Sequence, residues 1–177
     1  MLRAPWGSVW LDPPAIARGA ISLFTISEIC NEPARAMTRE QILAAIPHRP
    51  PMLLLDEVVE WEHERIVCRK TFRPDEWFFQ GHYPDFPLVP GVLLCEAAMQ
   101  AGAVLLSRHP KGEGVPVAGR LNDVKFKRMV RPGDTVLIET QLDDRMGDAF
   151  FLSAKVTCEG RPAVTLNYAV TVAKRES

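Results

Sequence analysis

The chain has 177 residues, of which 47% are apolar and 24% charged, and its net charge is −1. Such a balance suits one soluble domain with a buried core and excludes the strongly basic surface of a nucleic-acid or anionic-membrane binder. Cys30, Cys68, Cys95 and Cys158 lack paired spacing and read as the reduced thiols of a cytoplasmic protein, and no apolar run is long enough to cross a membrane.

The opening residues, 1–37, carry Pro5, Pro13-Pro14 and Pro33 around one apolar stretch, Ala20 to Ile26. Ala34-Arg35-Ala36 has the look of a cleavage site, but Glu28 and Glu32 stand between it and the apolar stretch, so a signal peptide fits poorly. We expect a poorly ordered extension over 1–37 and a single domain over 38–177. Thr38-Arg39-Glu40-Gln41 is a capping box for a short helix ending near Pro47. Leu53–Trp61 and Arg65–Phe72 read as a hairpin turning at His63-Glu64.

Prolines 84, 87 and 90 then exclude helix or central strand and predict a stiff, extended loop carrying His82. Stiffness suits a base that must be oriented before substrate arrives, and histidine titrates near neutrality. The other histidines, His48, His63 and His109, read as surface or structural residues. None stands at a metal-ligand spacing, so no metal is expected.

Pro90-Gly91 opens a helix running to Leu106, in which only Glu96 and Gln100 are polar. A helix this apolar is buried on most sides. Its two polar residues are one turn apart on the same face, so Gln100 is placed to orient the carboxyl group. Burial favours the neutral carboxyl that a general acid needs. Gly91 leaves its N–H open to a ligand oxygen, with the helix dipole behind it. A base, an acid and a helix N-terminus are the parts for removing a proton beside a carbonyl and expelling a β-hydroxyl.

Strand-like runs follow at Val115–Leu121, Val124–Val130, Thr135–Leu142, Phe150–Cys158 and Ala163–Val172, divided by turn-rich segments. Thr135–Leu142 does not alternate cleanly, so its inward face stays open. Together these predict an α+β fold in which an antiparallel sheet curls around one apolar helix. Gly102 would let helix and sheet pack closely.

The segment G-H-Y-P-x-x-P-x-x-P-G-V-L-x-x-E-A-x-x-Q, from Gly81 to Gln100, resembles the active-site segment of bacterial 3-hydroxyacyl-acyl-carrier-protein dehydratases of the FabZ type. Ile46–Asp56, Phe78–His82 and Phe126–Asp134 match further family motifs, so the resemblance spans Thr38 to Ala173. It implies a hotdog fold and dehydration of 3-hydroxyacyl chains on acyl carrier protein to trans-2-enoyl chains in fatty acid biosynthesis, with no cofactor. It also implies a homodimer, or a trimer of such dimers. By position, His82 and Glu96 take the catalytic roles, drawn in the family from opposite subunits. Gly91 takes the carbonyl-binding N–H, Gln100 supports the carboxylate, and Tyr83 borders the substrate. Asp85 departs from the family's glycine; Asp tolerates turns and left-handed backbone better than most residues.

Acyl carrier protein is expected to be acidic, and Lys125, Lys127, Arg128 and Arg131 form the densest basic cluster, a candidate docking surface. A hotdog thioesterase and a non-catalytic acyl-binding protein are the rival readings. The first would need a carboxylate placed to activate water, and the second would be expected to lose His82 or Glu96.

Overall fold

The computed structural model describes residues 36–109 and 114–173, so nearly all of the expected extension lies outside the described residues. Its last residue belongs to the folded unit. Met37 exchanges backbone hydrogen bonds with Val58, at 3.1 and 3.0 Å. Helix α1 (Arg39–Ala45) follows, entered through the expected capping box: the Thr38 N–H donates to the Gln41 side chain at 2.9 Å. The chain continues through β1 (Glu57–Trp61), β2 (Arg65–Thr71), a single 3₁₀ turn (Trp77–Gln80) and helix α2 (Gly91–Leu106). Strands β3 (Val115–Phe126), β4 (Thr135–Met146), β5 (Ala149–Cys158) and β6 (Arg161–Ala173) complete it.

The six strands of the described residues form one antiparallel sheet in the order β1-β2-β4-β5-β6-β3. Its inner face packs on α2 from β2 through β6. The side-chain alternation that looked imperfect in β4 is regular in the fold: Val136, Ile138, Thr140 and Leu142 point inward. Thr140 is tolerated there because its hydroxyl donates to the Ala98 carbonyl of α2, at 3.3 Å. Tyr168, fully buried on β6, donates to the same carbonyl at 3.2 Å.

Gly102 is what allows that approach. A Cβ built on it would lie 2.0 Å from the Tyr168 hydroxyl, so only glycine fits under the tyrosine.

Several expected boundaries move, and β4 runs on past Leu142 to Met146. Leu53–Leu55 do not join β1, because the Leu54 N–H is taken by the Gln100 side chain of α2 rather than by a strand. The two runs expected over 115–130 are one strand ending at Phe126, with irregular register between Ala118 and Arg120 and between Asn122 and Lys125. Asp123 has a φ of 48° within the second irregularity, which breaks the alternation seen in the sequence.

Beyond β2, a buried ion pair sets the path of the next loop. Lys70 is only 2% exposed, and its Nζ lies 2.7 Å from Glu76 and 3.5 Å from Asp56. A lone ammonium there would be costly, so the pair holds Glu76 at the mouth of the 3₁₀ turn. Phe78 and Phe79 anchor that turn in the core, and the His82 N–H closes it onto the Phe78 carbonyl at 2.9 Å. The loop to α2 is then tied down by a hydrogen bond from the Val89 N–H to the Val130 carbonyl, at 2.8 Å.

Candidate active site

His82 is half-buried, with Nδ1 3.1 Å from the Leu88 carbonyl oxygen. A carbonyl only accepts, so Nδ1 carries the proton and Nε2 presents a bare lone pair. The Pro-rich loop thus fixes both the ring and its tautomer. Tyr83 stands edge-on to the imidazole, with ring centroids 4.6 Å apart. It is 62% exposed, with a φ of 50°. The left-handed residue in this loop is therefore the aromatic one and not Asp85, an uncommon backbone for a bulky side chain. The hydrogen bond from the Phe86 N–H to the Tyr83 carbonyl, at 2.9 Å, holds the turn.

Gly91 is the first residue of α2, where the N–H has no acceptor within the helix. The Phe126 ring lies over it so closely that a Cβ at this position would sit 2.6 Å from Cε1. Val92 beside it is 69% exposed. The start of the helix is open to a ligand on one side and walled by an aromatic ring on the other.

One turn inside α2, Glu96 and Gln100 meet as their spacing requires, with Gln100 Nε2 2.9 Å from Glu96 Oε1. Gln100 is 1% exposed and fully engaged. Its Oε1 accepts from the Leu54 N–H at 2.8 Å, and its Nε2 also donates to the Met52 carbonyl at 2.8 Å. Those two backbone partners admit one amide orientation only, so the remaining N–H must face the carboxylate. The Glu96 side chain keeps 22% of its surface exposed.

His48 is the residue that sequence reasoning missed. Read as surface or structural, it instead brings Nε2 to 3.5 Å from Glu96 Oε1. The signal lay in the Ile46–Asp56 segment, whose resemblance to the family motif includes His48. Cys95, next to Glu96, is a buried free thiol that burial pushes above its ordinary range, so it is a packing residue rather than a nucleophile.

Among the described residues His82 makes no hydrogen bond to Glu96. Within a single chain the two belong to separate clusters. The basic residues are divided as well. Arg131 stacks on Phe86 of the His82 loop, its guanidinium carbon 4.9 Å from the ring centroid. Arg128 is ion-paired to Glu159, and Lys127 is exposed just beyond β3. Lys125 points away from them, into an open cleft of about 560 Å³ on the outer face of the sheet, shared with Asp123, Glu139 and Lys155. That cleft is lined by none of His48, His82, Gly91, Glu96 and Gln100, and its mixed charges are those of a solvated sheet face. No described helix is long and apolar enough to cross a membrane.

A family model for the FabA-like domain matches residues 46–167. The chain is 44% identical over 132 residues to the 3-hydroxyacyl-acyl-carrier-protein dehydratase FabZ of Oenococcus oeni, covering 72% of this chain and 93% of that protein. It is 45% identical over 130 residues to the dehydratase of the same name from Herpetosiphon aurantiacus, covering 70% and 89%. In fold it is similar to a chain of the dehydratase heterocomplex ApeI:P from Xenorhabdus doucetiae, with a TM-score of 0.64 at 18% identity, covering 76% of this chain and 91% of that one. The PaaI protein of the E. coli phenylacetic acid degradation operon shares the hotdog architecture, with a TM-score of 0.57 at 15% identity, covering 75% and 95%. By its sequence and its fold, this chain belongs to the FabA-like family, alongside the FabZ-type dehydratases.

Proposed function

We propose that the protein dehydrates 3-hydroxyacyl chains carried on acyl carrier protein to trans-2-enoyl chains, in fatty acid biosynthesis. The observation that carries this reading is the clamped Gln100, which aims its one remaining N–H at Glu96 in a helix otherwise without polar residues. The thioester oxygen sits on the Gly91 N–H, where the helix dipole stabilises its growing negative charge. His82 Nε2 removes the C2 proton. The electron pair of that bond becomes the new double bond as the C3–O bond breaks, and Glu96 protonates the departing hydroxyl, releasing water. Solvent exchange returns the proton from imidazolium to carboxylate.

The partner is acyl carrier protein, and the working unit is a homodimer in which His82 of one subunit serves Glu96 of the other. Supporting the dimer is the position of β3 at the edge of the sheet, where it pairs among the described residues only with β6. A long edge invites a second strand. Exposed apolar side chains also stand in the His82 loop and at the start of α2: Tyr83, Phe86, Val92 and Phe126. No observation favours the thioesterase or binding-only readings.

Incubation with a 3-hydroxyacyl thioester separates the three, by enoyl absorbance, free thiol, or binding without turnover. Enoyl product is expected, and replacing His82 by Ala or Glu96 by Gln should cost about 10²-fold or more in rate. Near-normal dehydration by either folded variant would overturn the assignment.

A further inference from the structure

We infer that His48 is a positioning residue for Glu96, holding Oε1 so that Oε2 is the oxygen that delivers the proton to the leaving hydroxyl. The inference rests on the reading of Glu96 as the general acid and deepens it.

Among the described residues, two side chains reach the carboxyl group and converge on Oε1: Gln100 Nε2 at 2.9 Å and His48 Nε2 at 3.5 Å. The second distance is longer than a hydrogen bond, as contacts at catalytic groups often are until substrate tightens them. His48 Nδ1 is buried without a hydrogen-bond partner among the described residues. That orphan atom decides the tautomer. A proton on Nδ1 would bury an unsatisfied donor and aim the Nε2 lone pair at the Oε1 lone pairs. A proton on Nε2 leaves only a bare acceptor buried and points a donor at Oε1. An imidazolium would again bury an unpartnered N–H. His48 therefore acts as a neutral Nε2–H donor, and two donors saturate one side of the carboxyl group.

The loop that carries His48 is built to keep it there. Arg49 Nη1 donates to the Ile46 and His48 carbonyls, each at 2.8 Å, closing the backbone around the imidazole. The Met52 and Leu53 N–H groups return to the Arg49 carbonyl at 2.8 and 3.0 Å. Gln100 then bolts the far end of the same loop to α2 through Met52 and Leu54. Both donors to Oε1 thus belong to one hydrogen-bonded frame. An oxygen held in this way binds a proton poorly, so the proton resides on Oε2, the oxygen that neither donor touches.

The test uses the full chain and the dehydration assay, with His48→Ala and His48→Gln. The alanine variant should lose on the order of tenfold in kcat with KM within about twofold, because a mis-set acid slows chemistry without weakening binding. Glutamine keeps a neutral N–H donor and should recover most of the loss. Wild-type kcat in a folded alanine variant would overturn the role, and so would a glutamine variant no better than alanine, or a change confined to KM. A second measurement needs no turnover. In ¹⁵N-histidine-labelled protein, the His48 ring, assigned by its loss in His48→Gln, should show the Nε2–H tautomer, with the Nε2 signal displaced by Glu96→Gln. An Nδ1–H tautomer, or no response to Glu96→Gln, would refute the contact. If wild type gives no enoyl product, the reaction assignment fails and the ring signals alone decide the His48–Glu96 contact.

Discussion

Gly102 and Tyr168 show how much depends on one absent methyl group. Alanine in place of glycine would ordinarily gain a helix about 1 kcal/mol. Here the added carbon meets the Tyr168 hydroxyl at 2.0 Å, and overpacking costs about 1–3 kcal/mol. The displaced hydroxyl also loses the Ala98 carbonyl, leaving a buried donor unsatisfied for about 1–3 kcal/mol more. Gly102→Ala should therefore lower stability by about 2 kcal/mol or more in urea denaturation, the opposite of the propensity effect. Tyr168 carries a second consequence. Burial holds its hydroxyl well above the ordinary value of 10.0. Because the unfolded phenol ionises first, its contribution to stability is complete below pH of about 10 and is lost as pH rises further. Denaturation midpoints measured up the alkaline range should fall more steeply for wild type than for Tyr168→Phe. Equal slopes would mean that the buried hydroxyl has no such linkage.

The elements divide the basic residues in a way that a linear cluster hides. Lys125 turns to the outer face of the sheet with Asp123 and Lys155. Lys127 and Arg128 lie beyond the end of β3, and their N–H groups both reach the Ala163 carbonyl, at 2.8 and 3.3 Å. Arg131 lies against Phe86 of the His82 loop. If carrier protein docks beside that loop, Lys127→Glu with Arg128→Glu should weaken turnover of carrier-bound substrate and spare a small thioester analogue. Equal loss on both substrates would indicate structural damage instead. Helix α2 was legible in the sequence because only Glu96 and Gln100 interrupt its apolar run, and the hairpin and later strands because turn residues separate them. The breaks in prediction fall where a long-range bond replaces a local preference. Leu54 is drawn from β1 by Gln100, and Thr140 faces inward to serve a helix carbonyl. His48 was obscure for the same reason: only the fold brings Ile46–Leu54 under α2, and no spacing in the sequence connects His48 to Glu96.

At the scale of the whole molecule, the two halves of the proposed chemistry sit in separate clusters of one chain, and β3 is an edge strand among the described residues. A site shared across a two-fold axis makes a distinctive forecast. Coexpressing His82→Ala with Glu96→Gln should yield mixed dimers holding one intact and one doubly defective site. Activity should recover to about half of wild type per mixed dimer, although neither parent dimer works. Dual-tag purification followed by the enoyl assay checks this, and an inactive, correctly assembled heterodimer would count against the shared site. The clamp at Gln100 also reaches beyond catalysis. The amide that it captures, Leu54 N–H, belongs to a residue with no measurable exposure and lies outside every strand and helix. Its exchange with deuterium requires that one bond to open, and opening it releases the side chain that orients Glu96. Slow exchange at Leu54, approaching that of the sheet core, would mean that the carboxylate is disordered only when the domain itself unfolds. Fast exchange would instead reveal a loop that breathes independently. A single backbone proton thereby becomes a native-state clock for the readiness of the proposed acid.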